Sequence, residues 1–372
     1  MDVVARDETR EEATRADRSY WVGFSRTPYI GPTRIRRLLD HFGDLGRAWN
    51  ADERELRRVL DERSAESVIE TRRTLALDHE MERINRLGIA VLTLVDDDYP
   101  RLLREIPAPP PVLYLRGNLK SEDVTAIAIV GTRRSTSYGR EVAARIAGEL
   151  AAEGVTVVSG LARGIDGVAH KAALDAGGRT IAVMGSGVNV VYPPEHRQLA
   201  ERILEQGALV SDYPLDRAPD AVNFPARNRI ISGMTLGTIV IEAPARSGAL
   251  ITTDFAADQG REVFVVPGSV LSAASAGCHR LLRDGARPVT CAADVLEDLN
   301  INHRREQAAV QQALPLDEDE RRVLALLSGD PQHIDELAAA ANLPTPRCGA
   351  LMLTMELKGL VRNQGAQHYV RG

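Results

Sequence analysis

The sequence predicts an α/β protein: a doubly wound, mostly parallel sheet, with a helical domain before it and a winged helix after it. Three observations support this prediction. Apolar residues recur at helical spacing in the first part of the chain. Short apolar runs then alternate with amphipathic stretches, a pattern typical of a parallel sheet covered by helices. The last part combines three short helical stretches with a two-stranded ribbon.

The bulk composition is that of an ordinary globular protein. The chain has 372 residues, enough for two or three domains, and 44% of them are hydrophobic and 26% charged. No apolar run approaches the roughly 20 residues that span a bilayer, and no hydrophobic signal segment opens the chain, so we expect a cytoplasmic protein without membrane contact. The three cysteines are widely spaced, which argues against disulfides and against a zinc site: Cys278, Cys291 and Cys348. We expect no metal and no cofactor.

The charge is slightly negative throughout. The net charge is −6, and residues 1–118 hold 20 basic and 22 acidic side chains, residues 119–300 hold 18 and 21, and residues 301–372 hold 8 and 9. No domain is globally basic. A nucleic-acid partner would therefore have to be held by a local patch, because a diffuse positive field is absent.

The first domain is predicted to be helical. Residues 1–18 are expected to be a disordered tail and residues 19–111 a helical domain that a stiff, proline-rich segment ends at 107–111. Helical spacing is seen, for example, in Ile35, Leu38, Leu39 and Phe42. Residues 29–35 are similar to the hairpin of a helix-hairpin-helix, in which a glycine lets amides at a helix start approach a DNA phosphate. Because the segment has only one glycine, a tight turn between two packed helices is the favoured interpretation.

The core is predicted over residues 112–300. Seven runs are continuously apolar or nearly so, as strands covered on both faces should be: 112–115, 127–130, 155–159, 180–184, 208–211, 238–242 and 263–266. Amphipathic stretches between them favour helices: 139–153, 166–176 and 194–206. In this architecture, ligands collect outside the carboxyl ends of the strands.

The last part of the chain has the pattern of a winged helix. Residues 301–316 are polar, with repeated Gln and Ala, and are predicted to be a linker. Residues 317–372 then predict three short helices and a ribbon that turns at 363–365. They hold 6 basic against 8 acidic side chains, so contact with a protein is favoured at least as strongly as reading of a major groove.

Three glycine-bearing segments follow predicted strands and should line one crevice. The first, residues 131–135, joins Gly131 to a hydroxyl and two guanidinium groups at a helix entrance, where free amides and the helix dipole favour an anion. The other two segments contribute Ser159, Gly160 and Arg163, and Gly185 and Gly187. None is a dinucleotide fingerprint, and no Walker lysine follows. Together they predict an anion site.

A hexapeptide, residues 224–229, combines an aromatic ring with cations. It contains Phe224, Arg227, Asn228 and Arg229. Stacking of a base on an aromatic ring is indifferent to sequence, and guanidinium groups grip phosphates in a bidentate manner, so this segment favours binding of single-stranded nucleic acid. Taken alone, the hexapeptide is more typical of a loop phenylalanine that anchors a turn beside solvated arginines, and only the rest of the chain favours the nucleic-acid interpretation.

Residues that could carry chemistry are few. Glu242 ends a strand at the same crevice and is the best hydrolytic carboxylate, although no second carboxylate or activated hydroxyl stands beside it. Asp166 precedes an apolar helix and is interpreted as its N-cap. Ser247 and Gly248 would offer hydroxyl and amide donors to a phosphate, or would form a tight turn. Two histidines without a partner at ligand spacing are interpreted as structural: His170 and His196.

The order of these motifs resembles the DprA/Smf family of DNA-processing proteins. The resemblance covers most of the chain and rests on residues 98–103, 131–133, 159–166, 185–187, 192–193, 224–229, 242–248, 266–268 and 277–286. It implies an extended Rossmann-like core that binds single-stranded DNA, a helical N-terminal domain similar to a sterile-alpha-motif module, and a C-terminal winged helix. It further implies a non-enzymatic role in natural transformation and homologous recombination, in which incoming single strands are protected and RecA is loaded onto them.

The resemblance also implies roles for particular residues. Arg133 would hold a phosphate and Phe224 would stack on a base, while residues 227–229 would complete the pocket and Gly160 and Gly185 would allow close approach. Relatives often carry a basic residue three positions before the aromatic, where this chain has Ala221, so that Arg163 or Arg246 would have to supply the grip. Family members dimerise through the core, which implies an interface at His279, Leu281 and Leu282. RecA, a second copy of the chain and single-strand-binding protein are the implied protein partners.

Two alternatives belong to other functional classes. A nucleotide phosphoribohydrolase of the lysine-decarboxylase-like Rossmann group would also use glycine loops for a monophosphate. Such enzymes carry a Pro-Gly-Gly-x-Gly-Thr loop followed by a glutamate, whereas residues 266–270 break off after one glycine. The winged helix could instead make the chain a sequence-specific repressor.

Overall fold

The computed structural model describes residues 18–301, 317–327, 331–357, 360–365 and 367–371. The chain forms two compact units, Met1–Val295 and Leu296–Gly372. The predicted tail and linker lie outside the described residues, except for Arg18 and Ile301.

Helices precede the sheet, as predicted for the first part of the chain. In the described residues they are α1 (18–26), α2 (Pro32–Phe42), α3 (Leu45–Asn50), α4 (Glu53–Val59), α5 (Glu62–Thr74) and α6 (Leu77–Arg86). Three of them begin at an aspartate whose carboxylate accepts a hydrogen bond from a first-turn amide: Asp44, Asp52 and Asp61. The predicted hairpin at 29–35 forms the turn between α1 and α2, and the Tyr29 ring there stacks against the Arg63 guanidinium, with Cζ 3.8 Å from the ring centroid.

One nine-stranded sheet forms the core. Its strands are β1 (Ala90–Thr93), β2 (Val112–Gly117), β3 (Ala126–Val130), β4 (Thr156–Ser159), β5 (Thr180–Val183), β6 (Ala208–Ser211), β7 (Gly237–Val240), β8 (Glu262–Val265) and β9 (Arg287–Pro288). Their order is β1-β2-β6-β5-β4-β3-β7-β8-β9; the β1–β2 and β2–β6 pairings are antiparallel, and the other pairings are parallel. The seven predicted strands all occur, within two residues at each end.

Two short strands were not predicted. β1 lies inside the segment assigned to the helical domain, and β9 has only two residues. Both are at the edges of the sheet, where pairing with β2 and β8 decides the conformation. A local pattern of two to four residues carries too little periodicity to predict such strands.

Helices cover both faces of the sheet. They are α7 (Arg101–Arg104), α8 (Ser137–Ala152), α9 (Ile165–Asp175), α10 (Arg197–Gln206), α11 (Asn223–Gly233), α12 (Gly248–Asp258), α13 (Ala276–Arg283) and α14 (Ala292–Asp298). Alternate residues of β2 point to opposite faces: Val112 and Tyr114 pack with the N-terminal helices, while Leu113 and Leu115 pack with α11 and α12. The N-terminal helices therefore share one hydrophobic core with the sheet.

The strand order reverses beside β3. From β3 the chain adds β4, β5 and β6 on one side, and it then returns through α11 to place β7 on the other side. The connections that leave β3 and β7 run in opposite directions across the sheet. A crevice therefore opens at the carboxyl ends of these two strands, where open α/β sheets bind ligands.

The second unit is a winged helix, as predicted. Its helices are α15 (Glu318–Leu326), α16 (Ile334–Ala341) and α17 (Thr345–Leu357), and its strands β10 (Gln332–His333), β11 (Val361–Asn363) and β12 (His368–Arg371) pair in the order β10-β12-β11. Its core contains Val323, Leu337, Met352 and Met355. The predicted fold class is confirmed. Over the described residues, no helix combines the length and apolarity needed to cross a membrane.

Candidate functional site

A cleft of about 620 Å³ lies at the carboxyl ends of β3 and β7. Residues 131–134 follow β3, residues 244–249 follow β7, and α11 supplies five of the remaining lining residues. Four arginines and one carboxylate line it: Arg133, Arg134, Arg227, Arg246 and Asp166. The cleft is therefore a local basic patch in a chain whose net charge is −6.

The cleft brings together seven of the predicted binding residues: Gly131, Arg133, Phe224, Arg227, Asn228, Ser247 and Gly248. Six others do not line it: Ser159, Gly160, Arg163, Gly185, Gly187 and Arg229. Of the second group, Gly160 and Gly185 pack directly against Arg227 and Phe224 of the first.

Phe224 is a half-buried aromatic platform at the start of α11. The Asn223 side chain fixes this start by donating to the Gly185 carbonyl at 3.1 Å. A Cβ on Gly185 would lie 2.7 Å from Phe224 Cδ1, so only glycine leaves room for the ring. Gly185 thus accommodates a side chain of this protein, in place of the bound strand that the sequence suggested.

Two further side chains surround the Phe224 ring. The Tyr192 ring lies with its centroid 5.6 Å from that of Phe224, and the Arg133 guanidinium lies with Cζ 5.2 Å from it. Arg133 is exposed, as are Arg134 and Arg246, and none of these three has an ion-pair partner among the described residues. The ring is therefore bordered by one cation, Arg133, that is free to meet an anion, and Arg134 and Arg246 line the same cleft.

Arg227 has a different role from Arg133, although both line the cleft. It is only 3% exposed, and its guanidinium donates to the Gly160 carbonyl at 2.8 Å and to the Val183 carbonyl. A Cβ on Gly160 would lie 2.5 Å from Arg227 Nη2. Burial lowers the pKa of Arg227 to about 10. Its hydrogen bonds thus tie α11 to the ends of β4 and β5.

The loop after β4 is held by its own buried polar groups. The Asp166 carboxylate accepts from the amides of Gly160 at 3.1 Å and Ala162 at 3.3 Å. Burial raises the pKa of Asp166, although the Arg227 charge opposes this shift. The interpretation of Asp166 as an N-cap is wrong, because Gly164 occupies that position and Asp166 lies in the first turn of α9.

The two histidines bind the same loop, as their structural interpretation predicted. His170 contacts the Leu161 amide through Nε2 at 3.3 Å, and His196 contacts the Leu161 carbonyl through Nδ1 at 2.9 Å. Leu161 has a φ of 56°, which is unfavourable for a branched residue. These contacts hold the loop in that conformation.

The start of α8 is occupied by a carboxylate of this chain. Glu242 is 2% exposed and accepts from the Thr136 amide at 2.9 Å through Oε2 and from Thr136 Oγ1 at 2.5 Å through Oε1. A Cβ on Gly139 would lie 2.2 Å from Glu242 Oε2. The predicted anion site at this helix entrance is therefore filled, and Glu242, the best candidate for a hydrolytic carboxylate in the sequence, instead stabilises the helix start.

The start of α12 remains open to the cleft. Ser247 caps the helix, with Oγ accepting from the Ala249 amide at 3.3 Å, and a Cβ on Gly248 would meet no atom within 4 Å. Asn228 donates to the Gly248 carbonyl at 3.2 Å and accepts from Arg227 Nε at 3.2 Å. Asn228 therefore aligns this helix start with α11.

The remaining predicted residues serve the structure. Ser159 is buried and donates to the Ile129 carbonyl at 2.6 Å, and Gly187 lies in a turn where a Cβ would be 2.6 Å from the Pro214 carbonyl oxygen. Arg229 pairs with Asp212 at 2.8 Å. Arg163 pairs with Glu195 outside the cleft.

The predicted interface residues lie on α13. Leu281 packs in the hydrophobic core, whereas His279 and Leu282 are half-buried. His279 Nε2 contacts the Gly268 carbonyl at 3.0 Å. Two apolar side chains of the preceding loop are largely exposed, Val270 at 84% and Leu271 at 94%.

Sequence reasoning missed two contributors to the cleft: Asn223 and Tyr192. Tyr192 adjoins a motif that had been recognised, and its aromatic character was a usable signal. Asn223 gave none, because its role depends on Gly185, which is 38 residues away in sequence.

Comparison with known families gives two matches. The model of DNA recombination-mediator protein A matches residues 90–300, and the model of the DprA winged helix domain matches residues 307–367. The first match covers more than half of the chain and contains every residue of the cleft.

Two curated relatives are named Protein Smf. Protein Smf of Synechocystis is 34% identical over 394 residues, which cover 96% of this chain and 99% of that protein. Protein Smf of Escherichia coli K12 is 42% identical over 276 residues, covering 71% of this chain and 72% of that protein.

Solved structures agree. The X-ray structure of DNA processing protein A from Streptococcus pneumoniae has a TM-score of 0.68 at 34% identity, covering 75% of this chain and 97% of that chain. DNA processing protein A from Helicobacter pylori, whose structure was described for its single-stranded DNA binding mode, has a TM-score of 0.52 at 28% identity, covering 57% of this chain and 96% of that chain. With a family model over residues 90–300 and a relative aligned along nearly its whole length, this chain belongs to the DprA/Smf family of DNA-processing proteins.

Proposed function

We propose that this chain binds single-stranded DNA in the cleft without regard to sequence. The supporting observation is the half-exposed Phe224 ring, which the exposed Arg133 borders, in a cleft that the exposed cations Arg134 and Arg246 also line. A ring accepts any base by stacking, and guanidinium groups grip the phosphates on either side of that base. The single-stranded DNA binding described for the H. pylori relative supports the same assignment.

We further propose that the cleft leaves the covalent bonds of its ligand intact. Asp166 is the one carboxylate among the described lining residues, and its oxygen accepts from two loop amides. Glu242 is engaged at the start of α8. A phosphoribohydrolase would need a free carboxylate beside the nucleotide, so release of ribose 5-phosphate from nucleoside monophosphates by the purified chain would overturn this proposal.

The biological role that we infer is that of a cytoplasmic recombination mediator. Family membership supports a chain that protects incoming single strands during natural transformation and loads RecA onto them, also where single-strand-binding protein covers the DNA. We expect the chain to speed the assembly of RecA on such covered strands. Real-time RecA filament assays measure this directly, and assembly at the same rate with and without the chain would exclude the loading role.

A single cleft should bind a strand only weakly, so we propose that the protein binds DNA as a dimer. A stacked base contributes about 1–3 kcal/mol, so useful affinity requires several contacts on one strand. We propose that two copies meet at α13, where His279 and Leu282 are half-buried and the exposed Val270 and Leu271 add apolar surface. Sedimentation velocity over a range of concentrations checks the association.

The cleft assignment predicts two different effects of substitution. Phe224→Ala should weaken binding of oligothymidine by about 1–3 kcal/mol with little change in salt dependence, because stacking carries no charge. Arg133→Ala should reduce the slope of log K against log salt by about 0.7, because one phosphate contact is lost. Fluorescence anisotropy with labelled single strands and duplexes, at several salt concentrations, measures both.

Tyr138→Ala is the matched control, since Tyr138 is 48% exposed and lies outside the cleft. It should bind like the unmodified chain. Equal loss of slope in the Phe224 and Arg133 variants would contradict the two assigned roles, and a clear preference for duplex DNA would contradict the proposed function itself.

A further inference from the structure

A second groove, of about 590 Å³, continues from the cleft. The two cavities share Arg133 and Arg134, which follow β3. The groove is lined by the first turns of α8 and α9 and by α10. Five cations and one carboxylate line this basic groove: Arg133, Arg134, Arg140, Lys171, Arg202 and Glu195.

Most of this positive charge is uncompensated. The carboxylate of Glu195 is already paired with Arg163, which does not line the groove. Arg134 and Lys171 form no ion pair in the described part of the chain, and Arg140 donates only to neutral oxygens of Ser135 and Ser137. Arg202 alone is paired, with Asp175 at 2.7 Å, and both of these side chains are about half exposed to solvent. Water screens such an exposed pair, so Arg202 can exchange its partner for an anion at little cost.

The basic groove differs from the cleft in one chemical respect. The cleft presents the rings of Phe224 and Tyr192, whereas the described lining of the basic groove contains no Phe, Tyr or Trp. A base that entered it would find no ring on which to stack, while phosphates would find several cations. Its chemistry therefore suits a polyanionic backbone whose bases point away.

We propose that the basic groove binds the sugar–phosphate backbone of the nucleotides that extend from the cleft, with Arg133 and Arg134 at the junction. This inference rests on the proposed function, since it needs a strand anchored on Phe224. The two surfaces would then contribute differently to binding. The cleft holds a base by stacking, and the basic groove adds affinity in proportion to strand length by charge alone. Strands that end within the cleft gain nothing from the groove.

The test compares two strand lengths in one double variant. Lys171→Gln with Arg202→Gln removes two cations that line the groove and not the cleft. For a labelled oligothymidine of about 16 nucleotides, we expect the slope of log K against log salt to fall by about 1.4 and the affinity at 0.1 M salt to fall about 25-fold. For an oligomer of about 4 nucleotides, whose length fits the cleft alone, we expect no change.

A control removes the same charge elsewhere. Arg54→Gln with Arg58→Gln on α4 takes two exposed arginines from the N-terminal helices, and it should leave the affinity for both oligomers as it was. A 16-nucleotide strand that keeps its bases only in the first four positions should still respond to Lys171→Gln with Arg202→Gln, because the groove reads phosphates.

The outcomes separate the two proposals. If the unmodified chain binds both oligomers and the groove variant binds the long one equally well, the groove is excluded and the cleft stands. Equal weakening with long and short strands also excludes the groove. If the unmodified chain binds neither oligomer, the proposed function fails, and the groove proposal fails with it.

Discussion

Replacing Arg227 with alanine is expected to lower the free energy of unfolding of the core by about 3–5 kcal/mol. The guanidinium is buried and donates to the carbonyls of Gly160 and Val183, which end β4 and β5. Without it, these acceptors lose their donors, the space beside Gly160 becomes a cavity, and Asp166 loses the nearest charge that stabilises its ionised form. The solvent-exposed arginines that line the cleft make no comparable contribution to the free energy of unfolding.

Urea unfolding followed by tryptophan fluorescence measures this loss, because Trp21 and Trp49 are buried in the hydrophobic core that the N-terminal helices share with the sheet. Arg246→Ala is the matched control: it removes an exposed arginine of the same cleft and should leave stability unchanged. If Arg227→Ala unfolds like the unmodified chain but loses its affinity for single strands, Arg227 is a DNA ligand and the structural role given to it here is wrong.

The contrast between Arg227 and Arg133 marks what the sequence can predict. The strands were predictable because each is a run of buried apolar residues, and the position of the cleft followed from the rule for parallel sheets. The sequence could not sort the arginines. Arg227 is buried because the carbonyl of Gly160, 67 residues earlier, meets it after folding, and no local pattern records such a contact.

The same limit explains Glu242. Its place at a strand end suggested a reactive carboxylate. In the structure, this carboxylate accepts hydrogen bonds from the amide and hydroxyl of Thr136, 106 residues earlier. A helix start and a carboxylate attract each other wherever the fold joins them, so this carboxylate occupies the anion site that the sequence predicted beside it. Only the structure distinguishes the open start of α12, at Ser247 and Gly248, from the filled start of α8.

The stability of the core is expected to fall steeply in acid because of His170. Burial lowers the pKa of His170 from 6.5 to about 3, and the nearby charges of His196 and Arg227 act in the same direction. The Thr180 hydroxyl donates to the Val157 carbonyl at 2.7 Å, so it accepts from His170 Nδ1. Nε2 is then the bare nitrogen that accepts from the Leu161 amide. A second proton would face an N–H group and release the Leu161 loop.

The sign of the effect follows from the lowered pKa. Below pH 6.5, His170 binds a proton in the unfolded chain but not in the folded chain. The contribution of His170 to the free energy of unfolding is therefore complete above pH 6.5 and is lost as the pH falls toward 3. By pH 4.5 the loss amounts to roughly 2–3 kcal/mol. The pKa of Asp166 is raised, so its contribution to stability changes with pH in the opposite direction. The unmodified chain and a variant at His170 share this contribution.

Comparison with His170→Gln isolates the histidine. The variant loses part of its stability at every pH, but its free energy of unfolding should fall by roughly 2–3 kcal/mol less than that of the unmodified chain between pH 6.5 and 4.5. Because Ala162 follows Leu161 and lines the cleft, affinity for single strands should decline over the same range only in the unmodified chain. Parallel stability curves for the two proteins would mean that His170 does not control the loop.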